Sequence, residues 1–272
     1  MSWNVNAKSG MSTRRTAQFL QALARMRADV VLLQEVAARG GLWARLEHGL
    51  QSIGLPFAAF TARRPPAEKC YGTAIASRFP VALDRGSWAP GAPWPHLLLR
   101  ATVRLPRLGS VEVLGAHMPN GSGNGWRKVE TFEALARYLE SASRVPRVLG
   151  GDFNEPRSLG DDGRLVSFGQ RQVGAGWSRE GMWTRLGETF HRARWDQAVV
   201  SVLDGPHLRH AWMDRHGREL VATHHTRTSE RSFDHLLVSP HFEVLDAGYE
   251  HAWRRQGLSD HSGVWADLRL SR

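Results

Sequence analysis

Cysteine is nearly absent from this 272-residue chain: Cys70 stands alone, so no internal disulfide can form, and the sequence fits a reducing compartment. Cys70 follows the polar stretch Ala67-Glu68-Lys69 at the start of an expected strand, and a half-buried, inert thiol is the reading for it rather than a nucleophile. Long apolar runs are missing too, and none approaches the roughly twenty residues that a membrane-spanning helix needs. The first residues, Met1-Ser2-Trp3-Asn4-Val5-Asn6, have neither a basic region nor an apolar stretch of the secretory kind, so a cytoplasmic location without membrane attachment is expected. There is no H-E-x-x-H, paired C-x-x-C, G-x-S-x-G or G-x-x-x-x-G-K-[ST], which weighs against zinc protease, serine hydrolase and P-loop chemistry. No block of five or six like charges marks a basic tail, and nothing points to a protein partner.

What is present is an ordinary globular composition, 42% hydrophobic and 23% charged, with a formal net charge of +10. Such a surface concentrates polyanions, which makes nucleic acid, DNA first, the leading partner class. Arginine far outnumbers lysine and is scattered along the chain, a pattern that genomic composition also produces. The length and the lack of a linker or repeat predict one domain over residues 1–272.

Buried strands are expected at Val30-Val31-Leu32-Leu33, Leu97-Leu98-Leu99, Val111-Glu112-Val113-Leu114, Val148-Leu149 and Leu236-Leu237-Val238. Helical spacing runs from Thr16 to Met26, behind the caps Ser12 and Thr13, and from Trp126 to Leu139. Between Tyr71 and Leu114 only strands are expected, punctuated by Gly86, Pro90, Gly91, Pro93, Pro95, Pro106 and Gly109. Gly121-Ser122-Gly123-Asn124-Gly125 reads as a turn into the Trp126 helix, and Glu155 to Gly187 as a long loop or irregular insertion. Two mixed sheets packed face to face with helices outside accommodate both kinds of connection, an α/β fold.

Polar clusters stand at the ends of the apolar runs: Gln34-Glu35, Gly151-Asp152-Phe153-Asn154, Asp234-His235 and Ser259-Asp260-His261. Strand ends at one rim of a sheet are where distant residues converge on a rigid scaffold. Carboxylate and amide oxygens suit a hard divalent cation such as Mg²⁺, with Mn²⁺ as a substitute. Phosphate ester hydrolysis demands a barrier reduction approaching ~20 kcal/mol, which no single carboxylate supplies. Bland roles are open to the same residues: Glu35 as a helix cap, Asn4 and Asn6 as turn formers, Asp152 in an Asx turn, and His224, His225 and His235 as structural or solvated.

In order, Ser2-Trp3-Asn4-Val5-Asn6, Leu33-Gln34-Glu35, Gly115-Ala116-His117-Met118-Pro119-Asn120-Gly121, Gly150-Gly151-Asp152-Phe153-Asn154, Phe233-Asp234-His235 and Leu258-Ser259-Asp260-His261 resemble the endonuclease/exonuclease/phosphatase superfamily over nearly the whole chain. The resemblance implies a four-layered α/β sandwich and a Mg²⁺-dependent phosphodiesterase. It implies that Glu35 binds the metal with Asn6 and Asp260 completing the shell, that Asp152 activates water, and that Asn154 donates to the scissile phosphate. Asn4 would hold Asp152, Asp234 and His261 would form a buried acid–histidine pair, and His117 would contact phosphate or the leaving group.

Pro119-Asn120-Gly121 is similar to the exonuclease III and AP endonuclease branch, whereas His117 stands where those enzymes usually carry Tyr. Arg231-Ser232-Phe233 lacks the Trp that shapes their abasic-site pocket. Asn120, Trp126 and Arg231 are the candidates for substrate contact, with Trp126, Trp177 and Trp183 able to stack on bases or to pack as core. A nuclease acting on DNA, with a repair role, is the leading reading. A small-molecule or lipid-headgroup phosphoesterase and an inactive nucleic-acid-binding module are the alternatives.

Overall fold

The computed structural model describes residues 1–8, 10–38, 41–61, 71–86, 88–106, 109–141, 145–170, 188–225 and 229–271. Cys70, Trp177 and Trp183 lie outside them, as does much of the expected 155–187 loop. The chain runs β1 (Ser2–Ala7), α1 (Thr13–Met26), β2 (Val30–Ala37), α2 (Leu42–Ser52), β3 (Phe57–Phe60), β4 (Tyr71–Ser77) and β5 (Val81–Asp84). It continues with β6 (Leu98–Leu105), β7 (Gly109–His117), α3 (Gly121–Leu139), β8 (Arg147–Asp152), β9 (Ser158–Leu159), β10 (Leu165–Val166) and α4 (Glu188–Leu203). The last elements are β11 (Arg209–His210), α5 (Ala211–His216), β12 (His224–His225), β13 (Glu230–Arg231), β14 (Asp234–Val238), β15 (Phe242–Glu250), α6 (His251–Arg255) and β16 (Gly263–Leu270).

Two six-stranded sheets form, ordered β15-β16-β1-β2-β4-β3 and β11-β14-β8-β7-β6-β5. Each is mixed, because β1–β2 and β7–β8 pair in parallel across helical crossovers and the other pairs are antiparallel. Strand alternation explains why four layers result. On β2, Val31 and Leu33 join Trp3, Phe19, Leu46 and Leu50 under α1 and α2, while Leu32 joins Ile75, Val113 and Leu236 between the sheets. On β7, Leu114 packs with Leu149, Phe132, Leu135 and Val199 under α3 and α4, while Val113 faces the other sheet. Three apolar seams therefore separate four layers, the expected architecture.

Helix α1 starts where Ser12 predicted, with its side chain accepting from the Arg15 N–H at 3.2 Å, and it buries Thr16, Phe19, Ala22 and Leu23 on one face. Helix α3 departs from expectation by opening at Gly121, five residues before Trp126. A Cβ on Gly121 would come within 3.0 Å of the Trp195 ring of α4, so this glycine marks close packing between α3 and α4 rather than a turn. Among the described residues no helix is long and apolar enough to cross a membrane.

Candidate active site

Register assembles the first part of the site. His117 lies opposite Asp152 across β7–β8, and Asp152 lies opposite Asp234 across β8–β14, so three residues far apart in sequence stand in one row. A Cβ at Gly151 would sit 1.9 Å from the Ala116 carbonyl oxygen, so only glycine allows that ladder to close. The row faces the other sheet, and small residues let the sheets approach: a Cβ on Gly150 would meet Ser2 and Leu32 at 3.1 and 3.2 Å. Across this narrow gap Asn4 of the first sheet donates its amide to Asp152 Oδ2 of the second at 2.9 Å.

Glu35 reaches the site by breaking the alternation. Leu33 faces the helices, so a regular strand would send Glu35 the same way. Instead the β1–β2 register shifts between Asn4 and Ala7 and the β2–β4 register shifts between Leu33 and Val36. Asn6 and Glu35 take left-handed backbones there, with φ of 44° and 58°. Asn154, just after β8, is likewise at φ 52°. Each such conformation costs on the order of 1 kcal/mol, less for asparagine than for glutamate, and is held by its surroundings. The bulge aims the Glu35 carboxylate into a pocket of about 540 Å³ that it shares with His117, Asp152, Asn154, Asp260 and His261.

Asp152 is 2% exposed, and its partners are neutral: Asn4 on Oδ2 and the Asn154 N–H on Oδ1, at 2.9 Å each. His117 Nε2 and His261 Nε2 both stand 3.8 Å from Oδ2, too far for hydrogen bonds. Burial, together with Asp234, raises the Asp152 pKa above the ordinary aspartate range against the pull of the imidazoles and Asn4. The two imidazoles diverge. Burial pushes His117 down to about 4, and His261, Lys8 and His96 add to this, so it is neutral at pH 7; among the described residues its buried Nδ1 has no partner. Burial also acts against charge on His261, but Asp234 and Asp152 outweigh it and raise the ring to about 10. Its Nδ1 donates to Asp234 Oδ2 at 2.8 Å, so the cation points Nε2 towards Asp152 and the pocket. The backbone of this turn is tied to β1: Trp3 Nε1 donates to the His261 carbonyl and Ser259 Oγ to the Asn4 carbonyl.

Glu35 and Asp260 present hard oxygens. The Lys8 ammonium lies 3.1 Å from Glu35 Oε1 and is attracted by Asp260 as well, so the two carboxylates already create a seat for positive charge. Burial works against the Asp260 carboxylate, yet His224 and His261 keep it ionised far below the ordinary range; His224 Nε2 is 3.8 Å from Oδ2. Such a donor set fits a divalent cation of the magnesium type. Two groups of three side chains, His224–Asp260–His261 and Asp152–Asp234–His261, also bring ligand atoms within 4.8 Å of one another. In the second, His261 Nδ1 is committed to Asp234 and the ring is charged, which makes it an acid–histidine pair rather than a cation cage.

The structure brings together Asn4, Glu35, His117, Asn120, Asp152, Asn154, Asp234, Asp260 and His261 in and immediately behind this pocket. Asn6 lies at the β1 bulge, donating its N–H to Asn4 Oδ1 at 3.0 Å. Trp126 and Arg231 are placed elsewhere. Trp126 packs against the α3–α4 core beneath the Arg194 guanidinium, 4.2 Å from its ring, and Arg231 covers the Phe168 ring at 5.6 Å. His235 is a buried structural residue, whereas His224 lines the pocket, stacked on Phe233. Lys8, Tyr71, Trp94 and His96 also line it without having been singled out; of these only Lys8, two residues beyond Asn6, sat beside a motif.

The endonuclease/exonuclease/phosphatase family profile matches residues 1–261, and the chain belongs to that family. Among curated proteins none matches the sequence. Solved structures with the same fold include an AP endonuclease from Archaeoglobus fulgidus (18% identity, TM-score 0.68, covering 99% of this chain and 98% of that one). Another is D. rerio TDP2 complexed with a single-strand DNA product (14% identity, TM-score 0.65, 98% and 97% covered). A third is ANGEL2, a 2',3'-cyclic phosphatase, with adenosine-2',3'-vanadate (18% identity, TM-score 0.65, 99% and 94% covered).

Proposed function

We propose that this member of the endonuclease/exonuclease/phosphatase family hydrolyses phosphodiester bonds in DNA with Mg²⁺, or Mn²⁺ in its place, in a DNA-repair role. The observation that carries the reading is the convergence of Glu35, His117, Asp152, Asn154, Asp260 and His261 on one pocket, with Asp152 held by Asn4 and His261 by Asp234. Glu35, with Asp260 and Asn6 beside it, would hold the metal, which when bound supplies charge neutralisation at the phosphoryl oxygens. Asp152, kept on neutral donors, takes a proton from the attacking water. The cationic Nε2–H of His261 faces the phosphoryl oxygen, Asp234 fixing its tautomer. Asn154 Nδ2 donates one hydrogen to the Met118 carbonyl at 3.0 Å and has a second for the phosphate. Neutral His117 would offer its one N–H as a hydrogen bond to a phosphate or leaving-group oxygen.

DNA is favoured by the net charge of +10 and by the DNA-acting neighbours of the same fold. One observation favours the alternative of a small phosphoester: the pocket, walled by Tyr71, Trp94 and Phe233, is of single-nucleotide size. The test is a panel of labelled single-stranded DNA, duplex, abasic-site duplex, RNA and an aryl phosphodiester, with Mg²⁺ or EDTA and with Asp152→Asn alongside. Metal-dependent DNA cutting, lost in the variant, supports the reading. Hydrolysis of the aryl ester alone would transfer it to the small substrate. Binding that falls by a factor of about 10³ between 50 and 200 mM salt marks a protein tracking six or more phosphates.

A further inference from the structure

Behind the pocket wall lies a second set of charges that the chemistry above does not use. Lys128 of α3 and Glu155 have side chains 1% and 0% exposed, with Nζ 2.8 Å from Oε1. The same ammonium donates to the backbone carbonyl of Asn154 at 2.6 Å. Glu155 is satisfied from three further directions: Oε1 accepts from Trp195 Nε1 of α4 at 2.8 Å, Oε2 from the Phe168 N–H at 3.0 Å, and its carbonyl takes the His235 Nε2–H at 2.8 Å. The Phe168 and Trp195 rings lie 5.6 and 5.5 Å from the ammonium.

Stability alone gives little reason for this arrangement, since two apolar side chains of similar volume fill such a space without desolvating two charges. What an ion pair adds is direction. The ammonium has its protons shared between a carboxylate fixed by α4 and one particular carbonyl, and that carbonyl belongs to a residue at φ 52°, a backbone state that needs to be held. The other two Asn154 contacts, N–H to Asp152 Oδ1 and Nδ2 to the Met118 carbonyl, then orient its side chain at the pocket.

We propose that Lys128 and Glu155 are a positioning pair for Asn154: Glu155 anchors the ammonium against α4, and the ammonium pins the Asn154 carbonyl so that the amide stays aimed at the phosphate. The proposal rests on the reading of Asn154 as a phosphate donor. Its test compares wild type, Asp152→Asn, Asn154→Ala and Lys128→Met/Glu155→Leu on the substrate that the panel above selects. The double apolar variant is expected to melt within a few degrees of wild type, to keep KM within about threefold and to lose kcat by ~10–100-fold, the usual cost of an outer-shell change. In the Asn154→Ala background the same two changes should cost less than about twofold, because their effect passes through Asn154. Glu155→Gln, which keeps the shape, is the second variant should the double one fold poorly, with a kcat loss of ~10-fold and the same non-additivity expected. Wild-type kcat in a folded variant, or a loss that adds fully to that of Asn154→Ala, overturns the positioning role. Turnover retained by Asp152→Asn would instead overturn the site reading and the pair's role with it.

Discussion

The parallel pair β7–β8 carries a buried carboxylate at each end, and the two have opposite surroundings. Glu112 stands opposite Arg147 at one end, and His117 stands opposite Asp152 at the other. Glu112 accepts from Arg147 Nε, from Arg100 Nε at 3.0 Å and from the Tyr138 hydroxyl. Burial acts to raise its pKa, but Tyr138, Arg147 and Arg100 outweigh this and hold it below the ordinary glutamate range, while Tyr138 is pushed up to about 12. Asp152 is as deeply buried, yet among the described residues it has only two neutral donors and no cation within hydrogen-bond range. A carboxylate saturated with charged donors has no affinity left for a proton and serves the fold. One left on neutral donors keeps that affinity and can serve as a base.

The sharpest way to break this contrast is a matched pair of isosteric changes. Asp152→Asn should lower kcat by about 10²–10⁴-fold, the usual range for a general base, while its melting temperature holds or rises, because ionised Asp152 weighs against the metal-free fold at neutral pH. Glu112→Gln should do the reverse, costing about 3–5 kcal/mol through the buried Arg147 left unpaired, with kcat of the folded fraction unchanged. Calorimetry and steady-state kinetics on both proteins decide it, and a Glu112→Gln enzyme that is stable but inactive would erase the distinction.

A smaller but similarly directed effect comes from the ladder joining the two ends. Gly151→Ala places a methyl against the Ala116 carbonyl at 1.9 Å, so β7 and β8 must separate at the site end. A loss of ~3 kcal/mol or more in denaturant unfolding is expected, and an unchanged midpoint would show that the ladder yields freely.

Acidity sharpens the comparison further. The acid limb of kcat/KM should report Asp152 above the usual ~3.9 of aspartate, and the alkaline limb should lie near 10, where His261 loses its proton. Since the folded pKa of His261 is raised, the stability from its pair with Asp234 is fully present below ~6.5 and is lost as pH climbs through about 10. Asp234→Asn should bring the alkaline limb down towards neutrality, and a limb that stays put would remove Asp234 from that role.

The smallest effect lies in a second histidine pair with the opposite sign. His235 gives its Nε2–H to the Glu155 carbonyl, and His210, whose Nδ1 accepts from the Met213 N–H at 3.4 Å, gives its Nε2–H to His235 Nδ1 at 2.8 Å, so both rings are neutral. Burial, first of all, depresses both pKa values. The stability they contribute is present above ~6.5 and lost as pH falls below it, so the melting temperature should decline between pH 7 and 5. His210→Phe should flatten that slope by part, and an unaltered slope would assign the acid sensitivity to other groups.

Much of this was legible in the chain. The apolar runs located the central strands of both sheets, the Ser12 cap located α1, and the polar clusters at strand ends named most of the pocket. Other parts were not legible, for physical reasons. The edge strands β3 and β15 have mixed patterns that tertiary burial completes, whereas α2 carries Leu42, Leu46 and Leu50 at helical spacing and was legible in principle. Trp126 was open to base stacking or to core packing, and what its ring meets, Arg194, is far away in sequence. His224 read as structural or solvated until the β12–β13 pairing set it against His261 through an isolated bridge.

The sequence by itself determined which chemical groups are available, their order along the chain and, through the two-residue period of the strands, which of them share a face. Only the tertiary structure decided their chemical states. The sideways turn of Glu35, the neutrality of His117, the charge of His261 and the burial of Lys128 against Glu155 all depend on distances and solvent exclusion between segments far apart in sequence. No local pattern encodes those quantities, because a pKa or a bulge's direction is set by whatever packs across the gap.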